Sequence, residues 1–316
     1  RKNPVESIKP STRLCEILTW LRDAGGSDLH LQEGKPARYR VQGVLKTFGA
    51  EAVPPMNGQA FYQLLADNFS AEAMSHIRRE FELDLSAEMG ETRWRVNLSK
   101  QQGRQSCSFR IVPRQSLTLR ELQLPSSLKD VVKEPRGLVV LTGPTGQGKS
   151  TTVRALLQEI NLTMAMRIVT IEDPIEFVFE DAESQFEQRE VGIDTRTFAD
   201  GIRNAMRQDP NILFVGEIRD RESIFAALQA AETGHLVFTT LHADSAAQAI
   251  ARLREHYPAA EQSTISSLLS RNLNMLVCQR LVPSVFERRV PCLEIMKRDR
   301  TVQTAIQQNE LHRLTD

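Results

Sequence analysis

The chain has 316 residues, which is enough for two domains. Apolar residues make up 41% and charged residues 25%, as is ordinary for a soluble globular protein. Forty basic and 40 acidic side chains give a net charge of +0, which argues against nucleic-acid binding, although a local basic stripe could hide within a neutral total. No apolar run approaches the roughly 20 residues of a membrane-spanning helix, so no membrane span is expected.

Two features bear on where the protein works. The chain begins with Arg1 and shows no signal peptide, and we expect its native N-terminus to be missing. Its four cysteines, Cys15, Cys107, Cys278 and Cys292, are scattered without a CxxC pair, so we expect small buried thiols rather than metal ligands. Lone thiols suit a reducing cytoplasm, which is the predicted location.

The first third of the chain mixes short strands and helices. Apolar residues recur at helical spacing, alternate at strand spacing, or flank a glycine loop. The predicted elements are a helix over 14–21, a strand over 38–45, a helix over 61–69, and a strand pair at 94–98 and 108–112. We therefore predict a smaller α+β domain over residues 1–113, followed by a linker over 114–120.

From Gly137 the pattern changes to alternating strands and helices, which is typical of a parallel sheet with crossover helices. The predicted strands are 138–142, 168–171, 212–216 and 236–240. The predicted helices are 149–160, 197–207, 221–233, 246–256 and 262–279. Residues 121–316 are thus predicted to form an α/β domain.

A phosphate-binding loop motif, GxxxxGK[ST], lies between the first of these strands and the first helix. The match holds at every fixed position. The motif residues are Gly143, Pro144, Thr145, Gly146, Gln147, Gly148, Lys149 and Ser150, and Thr151 follows in the helix. Strand, glycine-rich loop and helix together are the setting that this motif needs, and a chance glycine-rich turn containing lysine is the alternative.

The residue types explain the expected chemistry. Glycines let backbone N–H groups turn toward phosphate oxygens, and the helix N-terminus adds its positive dipole end. Lys149 would reach the β and γ phosphates of ATP, and Ser150 would hold Mg²⁺. ATP and Mg²⁺ are therefore the predicted cofactors.

Acidic residues follow two of the predicted strands. The segment 170–177 places Glu172, Asp173 and Glu176 just past a buried strand, where ligands of parallel sheets bind. Another strand ends with Gly216 where an Mg²⁺-binding Asp is usual, and Glu217 follows it. Glu217 could polarise a water for attack on the γ phosphate, or these acids could belong to solvated loops and helix caps.

Two histidines bracket the last predicted strand. His235 precedes it and His242 follows it, and together they could sense the γ phosphate. A satisfied structural histidine is the more common role. Zinc is not expected, because the chain has no HExxH motif and no cysteine partner.

Together these segments resemble the hexameric secretion-superfamily ATPases, and most closely the PilT-type retraction motors of type IV pili. The resemblance covers nearly the whole chain. It runs from segments 27–31 and 40–43 through the phosphate loop, the acidic segment 170–177, residues 188–191 and 198–210, the strand ending at Glu217, and 234–242.

The resemblance implies a PAS-like N-terminal domain, a RecA-like ATPase domain and a homohexamer with nucleotide at the subunit boundaries. It implies that Glu176 and Glu217 are catalytic acids and that His235 and His242 form a histidine box. First-domain arginines, here Arg104 and Arg110, would act across the subunit interface. The implied function is ATP hydrolysis that powers pilus retraction, by a cytoplasmic ring bound to an inner-membrane pilus platform protein.

Three departures from the family pattern keep alternatives open. Gln147 stands where the family usually has Ser, which should be tolerated because the backbone binds the phosphates. The tetracysteine zinc element of pilus-extension and type II secretion ATPases is absent, which argues against those branches. Residues 305–310 match the retraction signature only loosely, and residues 281–289 also resemble type IVB secretion ATPases of the Dot/Icm kind. Powering secretion is therefore the main alternative, followed by nucleic-acid translocation and a non-hydrolysing nucleotide-gated scaffold.

Overall fold

A computed structural model of the protein describes residues 6–7, 12–41, 43–49, 52–89, 92–112, 117–284 and 289–314. The chain divides into two compact units, residues 1–113 and 114–316. Residues 113–116, where the predicted link between the domains begins, lie outside the described residues. No helix within the described ranges combines the length and the apolar character needed to cross a bilayer.

The first unit is a seven-stranded sheet with helices packed against it. Its helices are α1 (Thr12–Asp23), α2 (Gly58–Asn68) and α3 (Ala71–Glu80). Its strands are β1 (Glu6–Ser7), β2 (Gly26–Gln32), β3 (Arg38–Val41), β4 (Val44–Thr47), β5 (Glu82–Met89), β6 (Thr92–Gln101) and β7 (Arg104–Val112). The sheet order is β1-β5-β6-β7-β2-β3-β4, antiparallel except where β1 meets β5.

One core fills this unit, and it includes the fully buried Leu14, Phe61 and Trp94. The single strand predicted over 38–45 is wrong in detail, because β3 and β4 form an antiparallel hairpin there. Gly43, with φ 80°, lies at the turn, where a positive φ suits glycine. Alternation continues across such a short turn, so the apolar pattern alone does not reveal it.

The second unit contains the parallel sheet. Its strands are β8 (Gly137–Thr142), β9 (Arg167–Glu172), β10 (Gln185–Glu190), β11 (Ile212–Val215), β12 (Leu236–Thr240), β13 (Leu273–Pro283) and β14 (Arg289–Lys297). Its helices are α4 (Lys149–Thr163), α5 (Phe198–Ala205), α6 (Arg221–Glu232), α7 (Ala246–Glu255), α8 (Ala259–Asn272) and α9 (Arg300–Gln308), with 3₁₀ segments at Ser126–Lys133 and Leu311–Leu314.

The strand order of this sheet is β10-β9-β11-β12-β8-β13-β14. Every pair is parallel except β13 with β14. All residues of β8, β11 and β12 are buried, as expected for strands covered on both faces. The expected fold class is confirmed: a RecA-like α/β unit follows a smaller PAS-like α+β unit.

The helix predicted over 262–279 is wrong in its second half. Helix α8 ends at Asn272, and β13 begins at Leu273 and pairs with β8. The stretch from Leu273 to Cys278 is almost continuously apolar and buried. Such a run fits a buried helix or a buried strand equally well by pattern, and here the free edge of β8 selects the strand.

The order of the central strands determines where the site lies. Strands β9, β11, β12 and β8 are consecutive neighbours and parallel. Their carboxyl ends therefore meet at one edge of the sheet, and the loops that follow them lie side by side.

Candidate functional site

The phosphate loop joins the end of β8 to the start of α4, and its backbone is set by glycines. Gly143 has φ 141° and Gly148, the N-cap of α4, has φ 79°. A Cβ at Gly143 would overlap the backbone oxygen of Gln279 on β13. Glycine is therefore required there for both conformation and space.

Lys149 is buried beneath this loop. Its Nζ donates to the backbone oxygens of Gly143 at 2.7 Å and Pro144 at 3.0 Å. Burial lowers the pKa of Lys149 from its usual range, and the negative charge of Glu217 opposes that shift. The ammonium group thus lies where the loop curls around it, ready to pair with an anion.

His242 connects Lys149 with Glu217. Its Nδ1 lies 3.2 Å from Lys149 Nζ, and its Nε2 lies 3.3 Å from Glu217 Oε1. A lysine ammonium group can only donate, so Nδ1 accepts and Nε2 carries the proton that points at the carboxylate. The loop lysine, the histidine after β12 and the glutamate after β11 therefore form one polar chain.

Glu217 is oriented from both sides. Arg219 Nη2 lies 2.6 Å from its Oε2, while His242 faces its Oε1. Gly216, just before it, is fixed by a bond from its N–H to the oxygen of Ile171 at 2.8 Å. A carboxylate held this way can accept a proton from a water in the cleft.

The acidic segment places its glutamates in different environments. Glu176 is about half exposed (52%), and its Oε2 pairs with Arg154 Nη2 at 3.1 Å. Arg154 extends from α4, and its Nε also donates to Ser150 O at 3.2 Å. Glu172, at the end of β9, is buried.

The pKa of Glu172 is strongly raised by its surroundings. Burial raises the pKa of Glu172 from its usual 4.5 to about 7, against the opposing effect of hydrogen bonds from Thr170 and Gln188. Thr170 Oγ1 donates to its Oε1 at 2.7 Å, and Gln188 Nε2 donates to the same atom at 3.2 Å. The positive charge of Arg154 also opposes the rise in this pKa, and the negative charge of Glu176 adds to it.

A cleft of about 500 Å³ gathers most of the predicted site residues. Among them are Glu176, Glu217 and His242, together with the loop and helix residues 145–151. His235 is not among them, because it precedes β12 while His242 follows it. The five-residue strand β12 lies between the two histidines, so they are at opposite ends of the sheet. A catalytic role for His235 remains a prediction that this unit's own geometry does not favour.

Arg104 and Arg110 belong to the first unit, where both lie on β7. Arg110 Nε pairs with Asp28 Oδ1 at 2.7 Å, and the Arg110 side chain remains 67% exposed. Burial raises the pKa of Asp28, but hydrogen bonds from Ser27 and Arg110 outweigh it and leave that pKa lowered. Arg110 is thus anchored within its own unit, and its role toward another subunit stays a prediction.

Sequence analysis missed several residues that line the cleft. Arg154 was missed although it lies just over one helical turn beyond Lys149, on the helix that follows the loop. Leu281 and Arg289, on β13 and β14, also line the cleft. They were missed because the C-terminal strand pair was not recognised. Glu172 was named only as one acid of three, and its burial could be inferred only from the parallel sheet.

Comparisons of this chain with known proteins all indicate the same family. The family model described as type II/IV secretion system protein matches residues 12–313. The type IV pilus retraction ATPase PilT of Pseudomonas aeruginosa is 42% identical over 284 residues, covering 90% of this chain and 82% of that protein.

Two solved structures agree with this result. The pilus retraction motor PilT with bound ADP has a TM-score of 0.90 at 35% identity, covering 96% of this chain and 89% of that one. The ATPase DotB of Legionella pneumophila has a TM-score of 0.82 at 29% identity, covering 99% and 90%.

The buried Glu172 predicts a pH-dependent stability. The folded protein keeps this proton at pH values where the unfolded chain has lost it, so the free energy of unfolding falls as pH rises from about 4.5 to about 7. Glu172→Gln keeps the acceptor oxygen and removes the titration. Its stability relative to the wild type should therefore increase by up to about 3 kcal/mol between pH 5 and pH 8.

Urea denaturation of both proteins at several pH values measures this difference. Glu16→Gln, at an exposed acid on α1 of the first unit, is the matched control, and its stability relative to the wild type should change much less between the two pH values. A stability difference between Glu172→Gln and wild type that stays constant with pH would contradict the assignment.

Proposed function

The chain belongs to the type II/IV secretion system protein family, and on that premise we propose that it is an ATP-hydrolysing motor that powers type IV pilus retraction. The observation that supports this most is the polar chain from Lys149 through His242 to Glu217 in a single cleft. It joins a phosphate-binding loop to a carboxylate in a chain that is 42% identical to a pilus retraction ATPase.

The residues divide the work of hydrolysis. Backbone N–H groups of the loop and the N-terminus of α4 bind the phosphates, and Lys149 neutralises charge on the β and γ groups. Glu217 accepts the proton of the attacking water. His242 holds Glu217 in place and reports on the γ phosphate through its bond to Lys149.

Mg²⁺ is the cofactor that we propose beside ATP. The part of the chain that the structure describes contains no cluster of three or more His, Cys, Asp or Glu side chains that could hold a metal ion. Magnesium commonly takes one or two protein oxygens together with phosphates and waters. Ser150, at the first turn of α4, would hold the ion, and the ion would neutralise charge developing on the phosphates.

We propose that six copies form the working ring. Arg104 and Arg110 would reach the nucleotide of a neighbouring subunit and stabilise charge in the transition state, an effect worth about 10³–10⁵ in rate for such arginines. The Glu176 carboxylate, also in the cleft, would help to position the attacking water. The ring would act in the cytoplasm on a platform protein at the inner membrane.

Energising a type IVB secretion system is the second candidate function. The DotB structure supports it, at 29% identity and a TM-score of 0.82. The higher identity and TM-score of the retraction motors favour the pilus function.

Substitutions of the two central charges should separate binding from hydrolysis. Lys149→Ala should lower ATP turnover by about 10²-fold or more and weaken nucleotide binding, because it removes the buried cation that meets the phosphates. Glu217→Gln should bind ATP normally and turn it over about 10²–10⁴-fold more slowly, because it removes the proton acceptor. Phosphate release and equilibrium nucleotide titration measure the two effects.

The matched control is Lys46→Ala, at an exposed lysine on β4 of the first unit, which should leave turnover unchanged. Full activity in Glu217→Gln would remove that residue from catalysis.

Deletion of the gene should distinguish the two machines. If the motor retracts pili, the mutant keeps assembling pili that it cannot withdraw, and electron microscopy should show hyperpiliated, non-twitching cells. Complementation with Lys149→Ala should fail to restore twitching, whereas Lys46→Ala should restore it. Normal piliation together with a failure to deliver secreted effectors would assign the chain to secretion instead.

A further inference from the structure

The phosphate loop is fastened to the neighbouring strand β13 by two glutamine side chains. Strand β13 pairs with β8 only as far as Cys278, opposite Thr142, yet it continues to Pro283. Beyond that point the phosphate loop takes the place of β8 beside it. The N–H and C=O groups along this edge of β13 need hydrogen-bond partners, which either the loop or water can supply.

Gln279 provides the first fastening. It is 2% exposed, and its amide group is used twice. Thr152 Oγ1 of α4 donates to its Oε1 at 2.7 Å, and its Nε2 donates to the backbone oxygen of Gln147 at 2.7 Å. One buried side chain on β13 thus binds both the loop and the helix that follows it.

Gln147 provides the second fastening, in the opposite direction. The backbone N–H of Leu281 on β13 donates to Gln147 Oε1 at 2.7 Å. The position was expected to matter only through its backbone, but the side chain reaches across and satisfies a strand amide. A serine side chain there is too short to make the same span, because it lacks two of the bonds between Cα and the acceptor atom.

Two glycines of the loop also lie very close to Gln279. A Cβ at Gly143 would be 2.3 Å from the backbone oxygen of Gln279, and a Cβ at Gly148 would be 3.0 Å from its side-chain Nε2. The loop therefore contacts β13 at its first and last glycines and is hydrogen-bonded to it in between. These contacts leave the loop little freedom to unfold from its curled shape.

We propose that Gln279 and Gln147 form a latch that holds the phosphate loop in its phosphate-binding shape before nucleotide arrives. The proposal rests on the proposed function, since it assumes that the loop binds the phosphates of ATP and ADP. Both residues are positioning residues, because they act on the loop and on Thr152. If the loop is already ordered, nucleotide binding does not have to offset the conformational entropy lost when the loop becomes ordered. The latch therefore raises the affinity for nucleotide.

The latch predicts a specific kinetic pattern. Gln147→Met and Gln279→Met keep the length of each side chain and remove its hydrogen bonds. A neutral hydrogen bond corresponds to about a 2- to 12-fold change in an equilibrium constant. We therefore expect the Kd for ADP to rise about 3-fold in Gln147→Met and about 10-fold in Gln279→Met. KM for ATP should rise in parallel while kcat stays within about twofold, because the β-phosphate contacts are common to substrate and transition state.

The experiment titrates the 316-residue chain with ADP and Mg²⁺ by calorimetry and measures kcat, KM and the nucleotide-free Tm. Gln59→Met, at an exposed glutamine on α2 of the first unit, is the matched control and should change none of these values. Thr152→Val adds a second test, because it nearly keeps the shape of the buried side chain and removes the hydrogen bond to Gln279 Oε1. It should weaken ADP binding without adding a charge near the phosphates.

Several outcomes would overturn the latch. A lowered Tm with an unchanged Kd in the glutamine variants would show a merely structural role. If Gln279→Met does not fold, the result for Gln147→Met decides whether the latch exists. Gln147 is only half buried, so this variant should fold. If every variant binds ADP as tightly as the wild type does, the latch is refuted but the proposed function is not. A wild-type chain that binds no ADP would refute the proposed function and the latch together.

Discussion

The site depends on the parallel pairing of β9, β11, β12 and β8, which brings four carboxyl-terminal strand ends to one edge of the sheet. Segments far apart in sequence meet there: the phosphate loop, the acidic segment, Glu217 and His242. The strands are buried on both faces, so their register is set by core packing. The fixed register in turn fixes the positions of the loops that follow the strands. A polar chain linking Lys149 to Glu217 can exist only because β11 and β12 are neighbours.

Charge and burial give the acids of this edge different properties. Glu217 is oriented by His242 and Arg219, and Glu176 pairs with Arg154 near the cleft surface. Glu172 lies deeper, and burial raises its pKa to about 7. Environment, more than residue type, therefore distinguishes Glu217 and Glu176, which both line the cleft in ion pairs, from the buried Glu172. It also makes Glu172 easier to protonate than an ordinary glutamate.

Much of this could be predicted from the sequence, since the phosphate loop motif carries its own structural context and β8, β11 and β12 read as continuous apolar runs. The failures have physical causes. The run after Asn272 fits a helix or a strand by pattern, and only the free edge of β8 makes it β13. Missing β13 also hid Gln279, Leu281 and Arg289, whose importance comes from tertiary contact. His235 and His242 look equivalent in sequence, yet a strand separates them.

The central claim is that backbone amides of the phosphate loop bind the phosphates of a nucleotide at this edge. Amide hydrogen exchange of the full chain, with and without Mg²⁺ and ADP, tests it most directly. Protection on adding nucleotide should concentrate in residues 143–151, with smaller changes around Glu217 and His242. Unchanged exchange in 143–151 at saturating ADP, or protection confined to other segments, would contradict the account.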